Sequence, residues 1–203
     1  KHIGFVPAEE IVTHRIIWSC LFLILLVWWT KTGRQVLDVF HHPRYLALLM
    51  LTAVLIAGNW LLFIWAINHD HMLESSLGYF INPLLNILLG MLFLGETLRR
   101  WQWLAVALAV SGVMLQIITL GVFPWIALSL ASSFAVYGLI RKKIAVDSLT
   151  GLLVETVMLT PLAAWYLFFH ANTATSHLSQ NPLTLNLWLL AAGIITTVPL
   201  LCF

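Results

Sequence analysis

Ser75, Tyr79, Asn82, Asn86 and Gly90 follow one another at spacings of 4, 3, 4 and 4. Residues three and four apart share a helical face, so this row sets a hydroxyl, a phenol, two carboxamides and a gap along one side of a single helix. Leu77, Phe80, Ile81, Leu84, Leu85, Leu88 and Leu89 cover its other faces. Pro83 removes the donor that would bond the Tyr79 carbonyl, which frees a backbone acceptor beside the row. Two uses fit. The row could wall a cavity and touch a substrate, or it could bond neighbouring helices together at about 0.6 kcal/mol per contact. A row four turns long favours the cavity.

Other polar and aromatic residues extend the candidate set. Thr52 and Asn59 are seven apart on one face, with Trp60 beside them, and Ser129, Ser133 and Tyr137 are four apart. Trp60 and Tyr137 could stack on a planar or cationic ligand, or fill the core. The expected substrate contacts are Asn59, Trp60, Tyr79, Asn82, Asn86, Ser133 and Tyr137. Gly58, Pro83 and Pro199 are expected bending points. Ala105, Ala109, Gly112 and Gln116 form a small-residue face suited to close helix packing.

Charged residues within apolar segments need a partner or water, because one at the bilayer centre costs roughly 2.5–3.5 kcal/mol on insertion scales. Arg15 could reach outward to the interface or pair with Glu74. His14 and Glu155 could each carry a coupling proton, with structural pairing as the alternative. Glu96 reads as a turn residue bridged to Arg99 and Arg100. His69, Asp70, His71 and Glu74 lack the fixed spacing of a metal site, so no metal and no cofactor is expected. No Ser-His-Asp order, Gly-rich phosphate loop or Cys cluster stands out. Cys20 and Cys202 lie in apolar runs and read as packing residues.

The elements that hold these side chains are apolar helices. The chain is 61% hydrophobic and 9% charged, against about 45–50% and about 25% in soluble domains. Lipid must solvate most of it. Net charge is +2 with no clustered basic face, which argues against nucleic acid as a partner. Apolar windows of about 20 residues, enough to cross a bilayer, are predicted at Ile11–Thr30, Tyr45–Ile67, Ser75–Leu94, Trp101–Thr119, Phe123–Ile140, Leu149–Phe169 and Leu187–Phe203. Loop cations set the orientation. Lys31, Arg34, Arg44, Arg99, Arg100, Arg141, Lys142 and Lys143 fall on one side and Lys1 on the other. Loops 31–44, 96–100 and 141–148 are thus expected in the cytoplasm, with the neutral stretch Ala171–Asn186 outside. Trp28, Trp29, Trp101, Trp103 and Trp125 fall near predicted interfaces. Lys1 to Glu10 has no signal-peptide pattern, and the last apolar run stops without a charged flank, so the chain reads as part of a longer protein.

A weak internal match at an offset of about 140 pairs Lys1-His2-Ile3-Gly4 with Lys142-Lys143-Ile144-Ala145, and the His14 span with the Glu155 span. Ala57-Gly58-Asn59 then faces Thr196-Thr197-Val198, so a helix interruption is expected in both places. The offset of five spans inverts one copy relative to the other. The chain is expected to be one transmembrane domain, residues 1–203, with a first repeat over about 1–119 and a second over about 123–203. An all-α integral membrane helix bundle of about seven spans, arranged this way, reads as a secondary transporter for a small molecule, with membrane lipid and a coupling proton or ion as partners. The rival classes are a membrane-embedded enzyme using His14, His69 and His71, and a non-transporting membrane scaffold subunit.

Several runs carry a resemblance. Asn59-Trp60-Leu61-Leu62-Phe63-Ile64-Trp65-Ala66, Ser76-Leu77-Gly78-Tyr79-Phe80-Ile81-Asn82-Pro83-Leu84 and Leu92-Phe93-Leu94-Gly95-Glu96 resemble the RarD branch of the EamA family, in the drug/metabolite transporter superfamily. Val6-Pro7-Ala8-Glu9-Glu10-Ile11, Tyr137-Gly138-Leu139-Ile140-Arg141-Lys142-Lys143 and Thr196-Thr197-Val198-Pro199-Leu200-Leu201 extend the likeness. The resemblance implies ten helices in two inverted five-helix repeats around a central cavity, of which this chain would supply helices two to seven and most of eight. It implies export of metabolites or drugs from the cytoplasm, and the branch is associated with chloramphenicol sensitivity.

Overall fold

The computed structural model describes residues 7–169 and 183–202. Lys1 to Val6, most of the expected outer loop at 171–186 and Phe203 lie outside the described residues. Within them the chain is helical: α1 (Ala8–Thr30), α2 (Gly33–Phe40), α3 (Pro43–Asn68), α4 (Met72–Leu94), α5 (Arg100–Leu120), α6 (Trp125–Lys143), α7 (Ser148–Phe169) and α8 (Leu183–Leu201). Five of these, α1, α3, α4, α5 and α7, are long and apolar enough to cross a membrane. Helix α6 ends in Arg141, Lys142 and Lys143, and the apolar stretch of α8 is shorter.

Local chemistry sets the helix ends. Gly95 and Gly121 close α4 and α5 at φ of 67° and 70°, a left-handed conformation in which a Cβ would be strained. Lys31 closes α1 at φ 57°. Its N–H bonds Trp28 O and that of Thr32 bonds Val27 O, the doubly bonded ending that offsets the cost of a non-glycine residue there.

Two expectations about helix continuity need correction. The segment 31–44, read as a loop, contains α2, a two-turn helix that buries Val39 and packs on α7; a helix so short is stabilised by its docked face more than by its own propensity. The expected interruptions at Gly58-Asn59 and Thr196–Pro199 are absent, because α3 and α8 run through both sites. Thr196 and Thr197 turn their hydroxyls back onto the Ala192 and Gly193 carbonyls at 2.8 Å, which leaves the helix intact.

The chain divides into two compact units, Lys1–Ala57 with Ile144–Phe203, and Gly58–Lys143. Each draws helices from both of the expected repeats. In the first unit α1 packs on α7 and α8. The helices approach closely at Gly193, where a Cβ would lie 2.7 Å from Trp18 Cβ and 3.1 Å from the Ser19 nitrogen. Ser19 Oγ donates to the Gly193 carbonyl at 2.9 Å across this seam.

In the second unit α4 seats on α6 through Leu77, Ile81, Ala127 and Ala131. Gly78 sits where a Cβ would be 3.2 Å from the Ala127 carbonyl. Small residues allow such approach in a lipid setting, where packing replaces the hydrophobic effect as the force between helices. Helix α5 lies along α4 and packs through Val113 and Ile117. Its expected small-residue face is uncovered: α5 buries none of its residues, and open space surrounds Gly112.

Candidate functional site

The row on α4 is divided among several tasks. Ser75 is buried and donates to the His71 carbonyl at 3.1 Å. Tyr79 is 65% exposed, with its ring edge-on to Phe63 at 5.7 Å. Asn82 and Asn86 are half-buried, and Asn86 Nδ2 donates to Asn82 Oδ1 at 3.4 Å. Gly90 lies under the Glu96 carboxylate, which approaches to 2.5 Å of where a Cβ would stand. The adjoining residues Leu77, Gly78 and Ile81 are also buried, with Leu77 and Ile81 packed against α6.

Asn59 and Ser133, expected substrate contacts 74 positions apart, come together. Asn59 Nδ2 donates to Ser133 Oγ and to the Leu130 carbonyl, both at 2.8 Å. The Ser133 hydroxyl is directed at the Ser129 carbonyl at 2.7 Å, so its oxygen is the acceptor for Asn59. Neither bond uses Asn59 Oδ1. Asn82 Nδ2 and Asn86 Oδ1 are likewise without a hydrogen-bond partner among the described residues. The second unit therefore presents amide donors and acceptors on half-buried faces of α3 and α4, a set suited to a neutral polar ligand. Trp60 and Tyr137 are buried, and Tyr137 packs against Phe134 at 5.8 Å. Gly58 begins this unit inside an unbroken helix, and α4 and α8 pass through Pro83 and Pro199 without a break.

The first unit buries a different polar set: Glu10, Thr13, His14, Arg15 and Ser19 on α1, Thr52 on α3, Thr150, Glu155 and Thr156 on α7, and Thr197 on α8. Thr52 Oγ1 donates to Glu155 Oε1 at 2.7 Å. His14 is buried with no hydrogen-bond partner for Nε2 among the described residues. Arg15 is buried, which disfavours the first of its two alternatives, reach to the surface. Glu74 takes His71, with Nδ1 2.8 Å from Oε1. The rings of His69 and His71 lie stacked on Trp65 at 4.4 and 5.9 Å.

Glu96 also differs from expectation. Its carboxylate pairs with Lys142 Nζ of α6 at 2.5 Å, in place of Arg99 and Arg100. Lys143 extends over the Phe93 ring, 5.3 Å from its centre. No sequence signal links positions 96 and 142. The pairing follows from α4 and α6 lying side by side with adjacent ends.

A model of the EamA-like transporter family matches residues 1–118. The chain belongs to the EamA-like transporter family. Within the EamA family it falls in the RarD branch. It is 62% identical to "Protein RarD" of Salmonella typhi over 203 residues, covering 100% of this chain and 69% of that protein. An "Uncharacterized transporter" of Vibrio cholerae is 54% identical over 203 residues, 100% of this chain and 67% of its own length. A "Chloramphenicol-sensitive protein RarD" of Pseudomonas aeruginosa is 36% identical over 164 residues, 79% of this chain and 55% of that protein. No solved structure matches the chain. Family membership and the apolar helices together identify a multi-pass membrane transporter.

Proposed function

We propose that this EamA member is a secondary transporter that exports a small metabolite or drug-like molecule across the cytoplasmic membrane by alternating access. In this reading seven spans, α1 and α3 to α8, are helices two to eight of a ten-helix protein built from inverted repeats, about 1–119 and 123–203 here. Loops 31–44, 96–100 and 141–148 face the cytoplasm, a disposition supported by their eight cations against one on the other side. Gly58, Pro83 and Pro199 supply the flexing points for one repeat to rock against the other.

The observation that carries the proposal is the meeting of Asn59 with Ser133, in the same unit as α4, which packs on α6 and carries the half-buried pair Asn82 and Asn86. Amides in mid-span would be costly if they faced acyl chains with open hydrogen-bonding groups. A hydrated path satisfies them and gives a substrate its contacts, with Trp60, Tyr79 and Tyr137 as ring surfaces. A polar, aromatic-bearing solute fits this lining, and chloramphenicol, to which the name of the Pseudomonas aeruginosa relative refers, is of that class. His14, Arg15, Glu74 and Glu155 are the groups available for proton or ion coupling.

Water access tests the path directly. Asn59→Cys, Asn82→Cys and Asn86→Cys, made in a background without Cys20 and Cys202, should react with a membrane-impermeant maleimide. Leu108→Cys on the exposed flank of α5 should stay unlabelled. An unreactive cysteine at position 82 in a folded protein would remove α4 from the path.

A further inference from the structure

An open groove of about 870 Å³ runs along the first unit, where the end of α1 meets α2 and α7. Val27 and Leu153, both buried, form its floor. Ile24, Trp28 and Trp29 form its walls and are exposed, with Trp29 at 80%. The polar end is made by Lys31, Gly33 and Arg34. Neither cation has an ion pair or hydrogen bond from its side chain among the described residues. They stand beside the first turn of α2, whose cap residue Thr32 makes no side-chain bond to it.

We propose that this groove is a binding site for an anionic phospholipid, with an acyl chain against Val27, Leu153 and the two tryptophans and the phosphodiester between Lys31 and Arg34. The occupant follows from the order of the surfaces. The groove passes from a purely apolar channel on a membrane-spanning helix, through indole rings, to two uncompensated cations within four residues. That is the depth profile of a phospholipid leaflet from hydrocarbon to headgroup. Lys31 supplies a point charge and Arg34 a planar fork for phosphate oxygens. The start of α2 adds a favourable dipole. A zwitterionic lipid brings a choline cation into the same space and loses that advantage. Free phosphate reaches the cations and leaves the channel unfilled.

Thermal unfolding of the purified protein in detergent, titrated with dioleoyl-phosphatidylglycerol, dioleoyl-phosphatidylcholine or inorganic phosphate, tests this assignment. Phosphatidylglycerol should raise the melting temperature saturably, and the other two should not. Lys31→Gln and Arg34→Gln should each weaken the response about fivefold, and together about thirtyfold, with melting in the absence of lipid unchanged. Gly33→Leu has open space for its Cβ and should obstruct the groove while both cations stay in place. Equal responses to the two lipids, a matching response to phosphate, or an undiminished response in the double variant would each overturn the site. So would the absence of any lipid response, the outcome if another helix or a second copy of the chain fills the groove.

Discussion

Thr52 and Glu155 meet at 2.7 Å across 103 positions of sequence, with both side chains buried between helices of the first unit. Thr52 Oγ1 also lies 2.9 Å from the Leu49 carbonyl, so its one proton can serve the backbone when the carboxyl no longer needs it. A carboxylate inside a span is held by such donors or neutralised by a proton.

Glu155→Gln should keep the melting temperature within a few degrees, since an amide oxygen still accepts from Thr52. If Glu155 carries the coupling proton, the same variant abolishes the response of transport in proteoliposomes to an imposed pH gradient. An unaltered gradient response would leave Glu155 a structural partner. Thr52→Val, which strips the buried carboxylate of a donor, should cost about 1–3 kcal/mol, read as a lowered melting temperature.

Asn82→Leu should abolish transport and leave membrane insertion and thermal stability intact, because among the described residues the side chain of Asn82 has only the long hydrogen bond from Asn86. Asn59→Leu should instead lose both stability and transport, since its amide joins α3 to α6 through two bonds of 2.8 Å. Melting curves and proteoliposome flux measured on both variants separate substrate contact from helix tying. Normal flux with Asn82→Leu would end its role in the path.

Gly193→Val should be among the most disruptive single changes in the first unit. Even a Cβ there would stand 2.7 Å from Trp18 Cβ and 3.3 Å from the Arg15 carbonyl. Backbone cannot yield as a side-chain tip does, so α8 must move off α1 at a cost of about 1–3 kcal/mol or more. Gly112→Val, facing open space on α5, is the control and should be close to neutral. Expression level and melting temperature report the difference.

Gly90→Ala should act through Glu96. The new methyl occupies the place of the carboxylate, and Glu96 swings away from Lys142. The ion pair is about half exposed, so its loss should cost no more than about 1 kcal/mol. A double-mutant cycle of Gly90→Ala with Glu96→Gln should be non-additive, the second change adding little once the first is made. Full additivity in melting experiments would separate the two residues.

The apolar windows and their breaks specified the positions of α1 and of α3 to α8 in advance, because a helix that must satisfy its backbone in lipid leaves a long run of apolar side chains as its record. Membership of the EamA family was legible in local runs for the same reason, since Asn82-Pro83 and Leu94-Gly95-Glu96 are contiguous. Partnership was not. Each helix is apolar nearly all round, so periodicity does not say which face meets which neighbour; Leu77, Gly78 and Ile81 seat α4 on α6, a choice no hydrophobic stripe announces. Asn59 with Ser133, Thr52 with Glu155 and Glu96 with Lys142 depend on the rotation of two helices about their axes and on their relative height, which are settled by side-chain packing across the interface. The sequence alone determined that this chain lives in a membrane and roughly where each helix lies. Only the tertiary structure decided which buried polar groups hold one another and which keep a hydrogen-bonding atom without a partner among the described residues.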